Sequence, residues 1–168
     1  MRFLTAAGIL VIMLALALPA CADSLAVPGV RLNGAYMDML YEVVMKGWGP
    51  PDAKDELADG LTVYRHKRYL TLFGVMEGKV ALAETFSGSF STDKGIKTGS
   101  HRTDVEKAYG SPIDQENYTF TYFDGSGLPL YSLIYKGDGI GFSFDPQTHR
   151  VRSLFVFPAG VYPKLIHQ

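Results

Sequence analysis

Across 35–46 the apolar residues Met37, Leu40, Tyr41 and Val44 fall at i, i+3, i+4 and i+7, which predicts one buried face of a helix. Gly47 is the expected stop, because glycine takes the left-handed conformation just past a helix end, and Gly49-Pro50-Pro51 forces an extended exit. The polar stretch 52–60, DAKDELADG, reads as a connection. Strands are predicted at 61–66, 69–75 and 80–86, with turns at Arg65-His66-Lys67-Arg68 and Glu77-Gly78-Lys79. Residues 89–99 are rich in Ser, Gly and Thr and read as a linker. A shorter helix follows at about 100–109, where Thr103-x-x-Glu106 matches a capping box. Further strands are expected at 118–123, 130–135, 140–144 and 151–157.

These elements repeat. Tyr64, Phe73, Val80 and Phe86 return at a constant offset of 71 as Tyr135, Phe144, Val151 and Phe157. Val44, Trp48, Gly49 and Pro51 return at an offset of 61 as Val105, Tyr109, Gly110 and Pro112. Self-similarity of this kind bears directly on architecture. The expected fold is α+β, made of two tandem helix-plus-antiparallel-sheet repeats with the helices packed on one face of the sheet. The first repeat covers 29–88, the second 100–158, and 159–168 is a tail. The strand at 118–123 has no expected counterpart in the first repeat.

One strand breaks the half-buried pattern. Residues 151–157 place Phe155 and Phe157 on one face, yet Leu154 and Val156 are apolar on the other. A second layer, the tail folding over, or a bound partner would each account for that second face.

The segment Gly99-Ser100-His101-Arg102-Thr103-Asp104-Val105, followed by Tyr109-Gly110-Ser111-Pro112, resembles the G-x-[ST]-x-x-x-V…[LY]-G-x-P signature of small bacterial envelope proteins. These are the SmpA/BamE outer-membrane assembly lipoproteins and the β-lactamase inhibitor proteins. His101 stands where that group carries its capping Ser or Thr. The tandem arrangement is more similar to the inhibitor proteins, whose two halves form one concave sheet that grips an enzyme loop. The resemblance implies that fold and an envelope location.

The chain begins with a basic pair, Met1-Arg2, and an apolar, uncharged run at 3–18, then Pro19-Ala20-Cys21-Ala22. The run is shorter than the ~20 residues of a membrane span, so 1–22 is expected to be a signal peptide. Ala20-Cys21-Ala22 fits ordinary signal cleavage, whereas Leu18-Pro19-Ala20-Cys21 resembles a lipobox that would lipidate Cys21. With one cysteine in the chain, an exported domain has no disulfide of its own and depends on its core. Sixteen Lys and Arg against 17 Asp and Glu leave a net charge of -1, which argues against nucleic-acid binding. The expected location is exported, in the periplasm or associated with the outer membrane. Lipidation of Cys21 is the one expected membrane contact.

Catalytic motifs fail on context. Ser91-Thr92-Asp93-Lys94 and Lys97-Thr98-Gly99 spell the S-x-x-K and K-T-G of serine β-lactamases, but they are nearly adjacent and no S-D-N accompanies them. Gly137-Asp138-Gly139-Ile140-Gly141 lies between two strands, where a phosphate loop would lead into a helix. His66, His101, His149 and His167 show no metal-ligand spacing. No cofactor or metal is expected. The leading expectation is a non-catalytic envelope protein, inhibitor-like or assembly-adaptor-like, that binds another protein. Its candidate contacts are the unrepeated aromatics Tyr69, Tyr118, Tyr122 and Tyr131, since aromatic side chains give large contact area at low entropic cost. Two alternatives stand beside it. One is a small-ligand or enzymatic domain using His66, His149 and Asp145; the other is a structural outer-membrane lipoprotein anchored at Cys21.

Overall fold

The computed structural model describes residues 25–57, 60–121 and 126–161. The expected signal peptide, Cys21 and Tyr122 lie outside the described residues. The order begins β1 (Leu25–Val27), β2 (Arg31–Leu32), β3 (Ala35–Tyr36) and α1 (Tyr41–Trp48). It continues with β4 (Ala53–Glu56), β5 (Thr62–His66), β6 (Thr71–Met76), β7 (Lys79–Thr85) and β8 (Ser91–Thr92). The last part is α2 (Arg102–Tyr109), β9 (Asp114–Thr121), β10 (Gly127–Tyr135), β11 (Ile140–Phe144) and β12 (Val151–Val156). Among the described residues these strands form a four-stranded sheet, β3-β2-β1-β8, and an eight-stranded sheet, β4-β5-β6-β7-β12-β11-β10-β9.

The expected α+β architecture of two helix-plus-sheet repeats is overturned. The chain is mainly β, and its large sheet is one continuous curled half barrel. Three local readings contributed to the error. The segment 52–60 contains β4, a charged edge strand (Ala-Lys-Asp-Glu) whose exposed face leaves no alternation to detect. That strand flanks β5 as β9 flanks β10, so the strand around Tyr118 is not an addition to one half alone. The residues before Tyr41 are not helical; positive φ at Asn33, Gly34 and Asp38 breaks them into β2, β3 and turns. Ser91 and Thr92, within the expected linker, pair in parallel with β1, and Phe90 and Ile96 beside them are buried.

Both helices end on a glycine, α1 two residues beyond the expected stop at Gly47. Gly49 (φ 80) and Gly110 (φ 81) occupy the C-cap positions, and their N–H groups donate to Met45 O and Glu106 O. At the start of α2 the cap is His101, whose Nδ1 accepts from Thr103 N, while Asp104 accepts from His101 N at 3.1 Å. The histidine therefore fills the role that a Ser or Thr fills in a capping box.

Curling explains why the last strand is apolar on both faces. On the helix side, Tyr41, Val44 and Val105 pack with Phe73, Phe142, Phe144, Leu154 and Val156. On the concave side, Val63, Leu72, Leu82, Ile134, Phe155 and Phe157 form a second cluster, with Phe86 and Phe120 against it. Phe86 follows β7 and Phe120 belongs to β9, with three strands between them in the sheet. Their ring centroids are nevertheless 4.3 Å apart. Arg65 of β5 lies over the same Phe120 ring at 6.0 Å. The second face is thus buried by the sheet's own curvature.

Candidate functional site

Two places combine chemistry with position. The first is a polar row sunk in the concave face. Each of β10, β11 and β12 carries one serine there, and the three are in register: Ser132 opposite Ser143, and Ser143 opposite Ser153. All three are fully buried. Tyr118 of β9 donates its hydroxyl to Ser143 Oγ at 2.7 Å, and Ser132 Oγ is 3.0 Å from Ser143 Oγ. Ser153 donates to Glu84 Oε1 in a short hydrogen bond. Glu84 is completely buried on β7, and its Oε2 has no hydrogen-bond partner. Burial pushes its carboxyl up to about 7, against opposing effects from the Ser153 bond and the Arg65 charge. The Tyr118 hydroxyl is likewise raised, by burial first and then by the Glu84 charge.

The second place is the β5–β6 hairpin tip and the cleft beside it. Lys67–Tyr69 forms a 3-10 turn that ends on Leu70 in the left-handed conformation, φ 49 and ψ 42. That geometry is an outlier for a bulky side chain. It is locked by Leu70 N donating to Lys67 O and Phe86 N donating to Leu70 O. The Leu70 side chain is 54% exposed. Next to it, Tyr69 packs edge-on against Trp48 at 4.8 Å and lines a shallow cleft of about 380 Å³ with Met39, Val43, Gly47 and Trp48.

The candidate residues divide accordingly. Tyr69 stands at the cleft. Tyr118 is only 9% exposed and points into the polar row. Tyr131, 6% exposed, stacks on Phe144 on the helix face and bonds His149 Nδ1 through its hydroxyl at 2.8 Å. Both rings are therefore held inside the fold. Tyr122 lies outside the described residues.

The histidine alternative is not assembled by this geometry. His66, expected in a solvated turn, is buried at the end of β5, where Tyr41 Oη is 2.8 Å from its Nε2. Burial lowers its affinity for a proton, partly offset by Asp52. His149 sits in the exposed β11–β12 turn at φ 53. Strands β6 and β7 intervene between β5 and β12. Asp145 shapes that turn by accepting from Gln147 N, Thr148 N and Arg152, and these bonds hold its carboxyl well below the usual range, Arg152 foremost. Among the described residues, no group of three or more His, Cys, Asp or Glu side chains is placed to hold a metal ion.

Sequence reasoning passed over Glu84, Ser132, Ser143 and Ser153. Their signal is a lone small or acidic polar residue at an inward position of four otherwise apolar strands, as in Phe142-Ser143-Phe144. No family model matches the sequence, and no curated protein matches it. Among solved structures, the fold is similar to a cysteine-rich secretory protein from Staphylococcus aureus, with TM-score 0.54 and 14% identity over 78% of this chain and 48% of that one. It is similar also to an extracellular protein containing an SCP domain from Bacillus anthracis, with TM-score 0.51 and 15% identity over the same shares. The uncharacterised protein YfeY from Escherichia coli matches with TM-score 0.46 and 11% identity, over 80% of this chain and 97% of that one. The chain spans about half the length of the first two proteins. The motif resemblance to the BamE-like and inhibitor families gains no support from these comparisons, and at such identities the likeness to the first two shows a fold alone.

Proposed function

We propose that this chain is an exported, non-catalytic envelope domain that binds an apolar segment of another protein at the β5–β6 tip and the α1 cleft. Leu70 is the observation that carries the reading. A leucine held in the left-handed region costs about 1 to 2 kcal/mol relative to glycine there, and here its side chain is spent on solvent. More than half of the leucine's surface gives the fold no burial in return for that backbone. A partner that buries it, together with Tyr69, Val43 and the edge of Trp48, gives it a use. The export part of the reading rests on the leader at 1–22, and the secretory and extracellular descriptions of the two fold neighbours agree with it. The same leader and Cys21 are what support a periplasmic or outer-membrane placement within this proposal.

A photo-crosslinking residue at position 70 in the native envelope should trap one protein, while the same group at Ile113, equally apolar and 72% exposed, should not trap it. Leu70→Asn should raise stability by about 1 kcal/mol, because asparagine tolerates this backbone, and should abolish the captured complex. A variant that keeps full capture, or identical crosslinks from both positions, would sink the proposal.

A further inference from the structure

We propose that Glu84 is a proton-binding site inside the half barrel, and that its ionisation draws Arg65 away from Phe120 and loosens the seam between the β4–β5 edge and β9. The geometry supplies each step. Glu84 Oε1 has Ser153 as donor, whereas Oε2 has none and no access to solvent. An ionised carboxylate left with an unsatisfied buried oxygen is far costlier than a neutral acid in the same place. The groups facing it from β12, β11, β10 and β9 are Ser153, Ser143, Ser132 and Tyr118, all neutral, with Glu116 at the outer end of the serine row. On the other side, β6 presents the apolar Leu72, and β5 presents Arg65.

Arg65, Leu72 and Glu84 occupy one rung of the sheet, so Arg65 is the cation placed to answer a new charge. Arg65 is also part of the closure, lying over Phe120 while its Nε bonds Asp55 of β4. The edges β4 and β9 share no ladder, so side chains such as Phe86, Phe120 and Arg65 close the concave face. A carboxylate at Glu84 competes for the same guanidinium. Protonated, Glu84 leaves it at the seam.

The test is an NMR titration of the whole protein, following the carboxyl carbon of Glu84 and the ring protons of Phe120 from about pH 5 to about pH 9. Both signals should shift together with a common midpoint near 7. Glu84→Gln should hold Phe120 at its low-pH position throughout. Arg65→Gln should leave Glu84 titrating while Phe120 no longer follows. A Glu84 carboxyl that titrates in the ordinary carboxylate range overturns the proposal. So does a Phe120 ring that ignores Glu84, or one that still titrates in Glu84→Gln. The first readout needs no variant, so a folding defect leaves it intact.

Discussion

Glu84→Gln should remove a pH dependence that runs opposite to that of most carboxylates. The folded carboxyl is pushed up to about 7 from an ordinary 4.5, so between those values the unfolded chain has released a proton that the folded chain still holds. Raising the pH therefore favours unfolding across that window. Stability from this group is complete below 4.5, is lost as pH rises to about 7, and changes no further above it. The gap corresponds to about 3 kcal/mol. His66 gives a contrary slope nearby, since burial lowers its proton affinity and stability rises as pH passes the ordinary histidine value. Asp145 acts only at more acidic pH, because its carboxylate is held below the usual range. The clean quantity is thus the difference between wild type and Glu84→Gln in urea unfolding. That difference should move by about 3 kcal/mol in favour of the variant between about pH 4.5 and about pH 7.5. A constant difference would mean that Glu84 is ionised in the folded protein.

The second large effect concerns Phe155 and Gly141, which face each other in register on β12 and β11. The Phe155 ring lies over the glycine, so a β-carbon added at Gly141 would stand only 2.1 Å from it. This ring is fully buried, stacks with Phe157 and neighbours Glu84 across the ladder. Phe155→Ala should cost about 3 to 5 kcal/mol, as deletion of a buried aromatic ring does. Gly141→Ala alone should cost about 1 to 3 kcal/mol, because the ring must leave its place. In the Phe155→Ala background, however, the same alanine meets open space and should cost under about 1 kcal/mol. Urea denaturation of the four proteins checks this. If Gly141→Ala is equally harmful with and without the ring, the glycine is required by backbone conformation and the stacking account fails.

The positions of several strands were legible because local patterns act locally, but the architecture they build was not. Tyr64, Phe73 and Val80, and their counterparts Tyr135, Phe144 and Val151, do lie in strands, Phe86 and Phe157 directly follow them, and the glycines after Trp48 and Tyr109 do end helices. Charged β4 was not legible, because an exposed edge strand need not alternate. The extent of α1 was overread, since a short i, i+3, i+4 pattern is also met by residues that leave and re-enter a core through turns. Of the candidate aromatics, Tyr69 reaches a cleft, while Tyr118 and Tyr131 are held inside by Ser143 and His149. Composition alone does not distinguish an aromatic that binds from one that packs. Leu70 illustrates the same gap: its identity is visible in the chain, but its left-handed backbone and its exposure are not.

The sequence by itself determined where most of the longer strands run and that each helix is closed by a glycine. Those are consequences of side-chain period and backbone freedom over a few residues. Only the tertiary structure decided that the sheet curls until Phe86 and Arg65 meet Phe120, so that both its faces are buried. That closure depends on contacts between residues far apart in the chain, which no local pattern encodes. It also takes Glu84 out of water and leaves one of its oxygens without a partner.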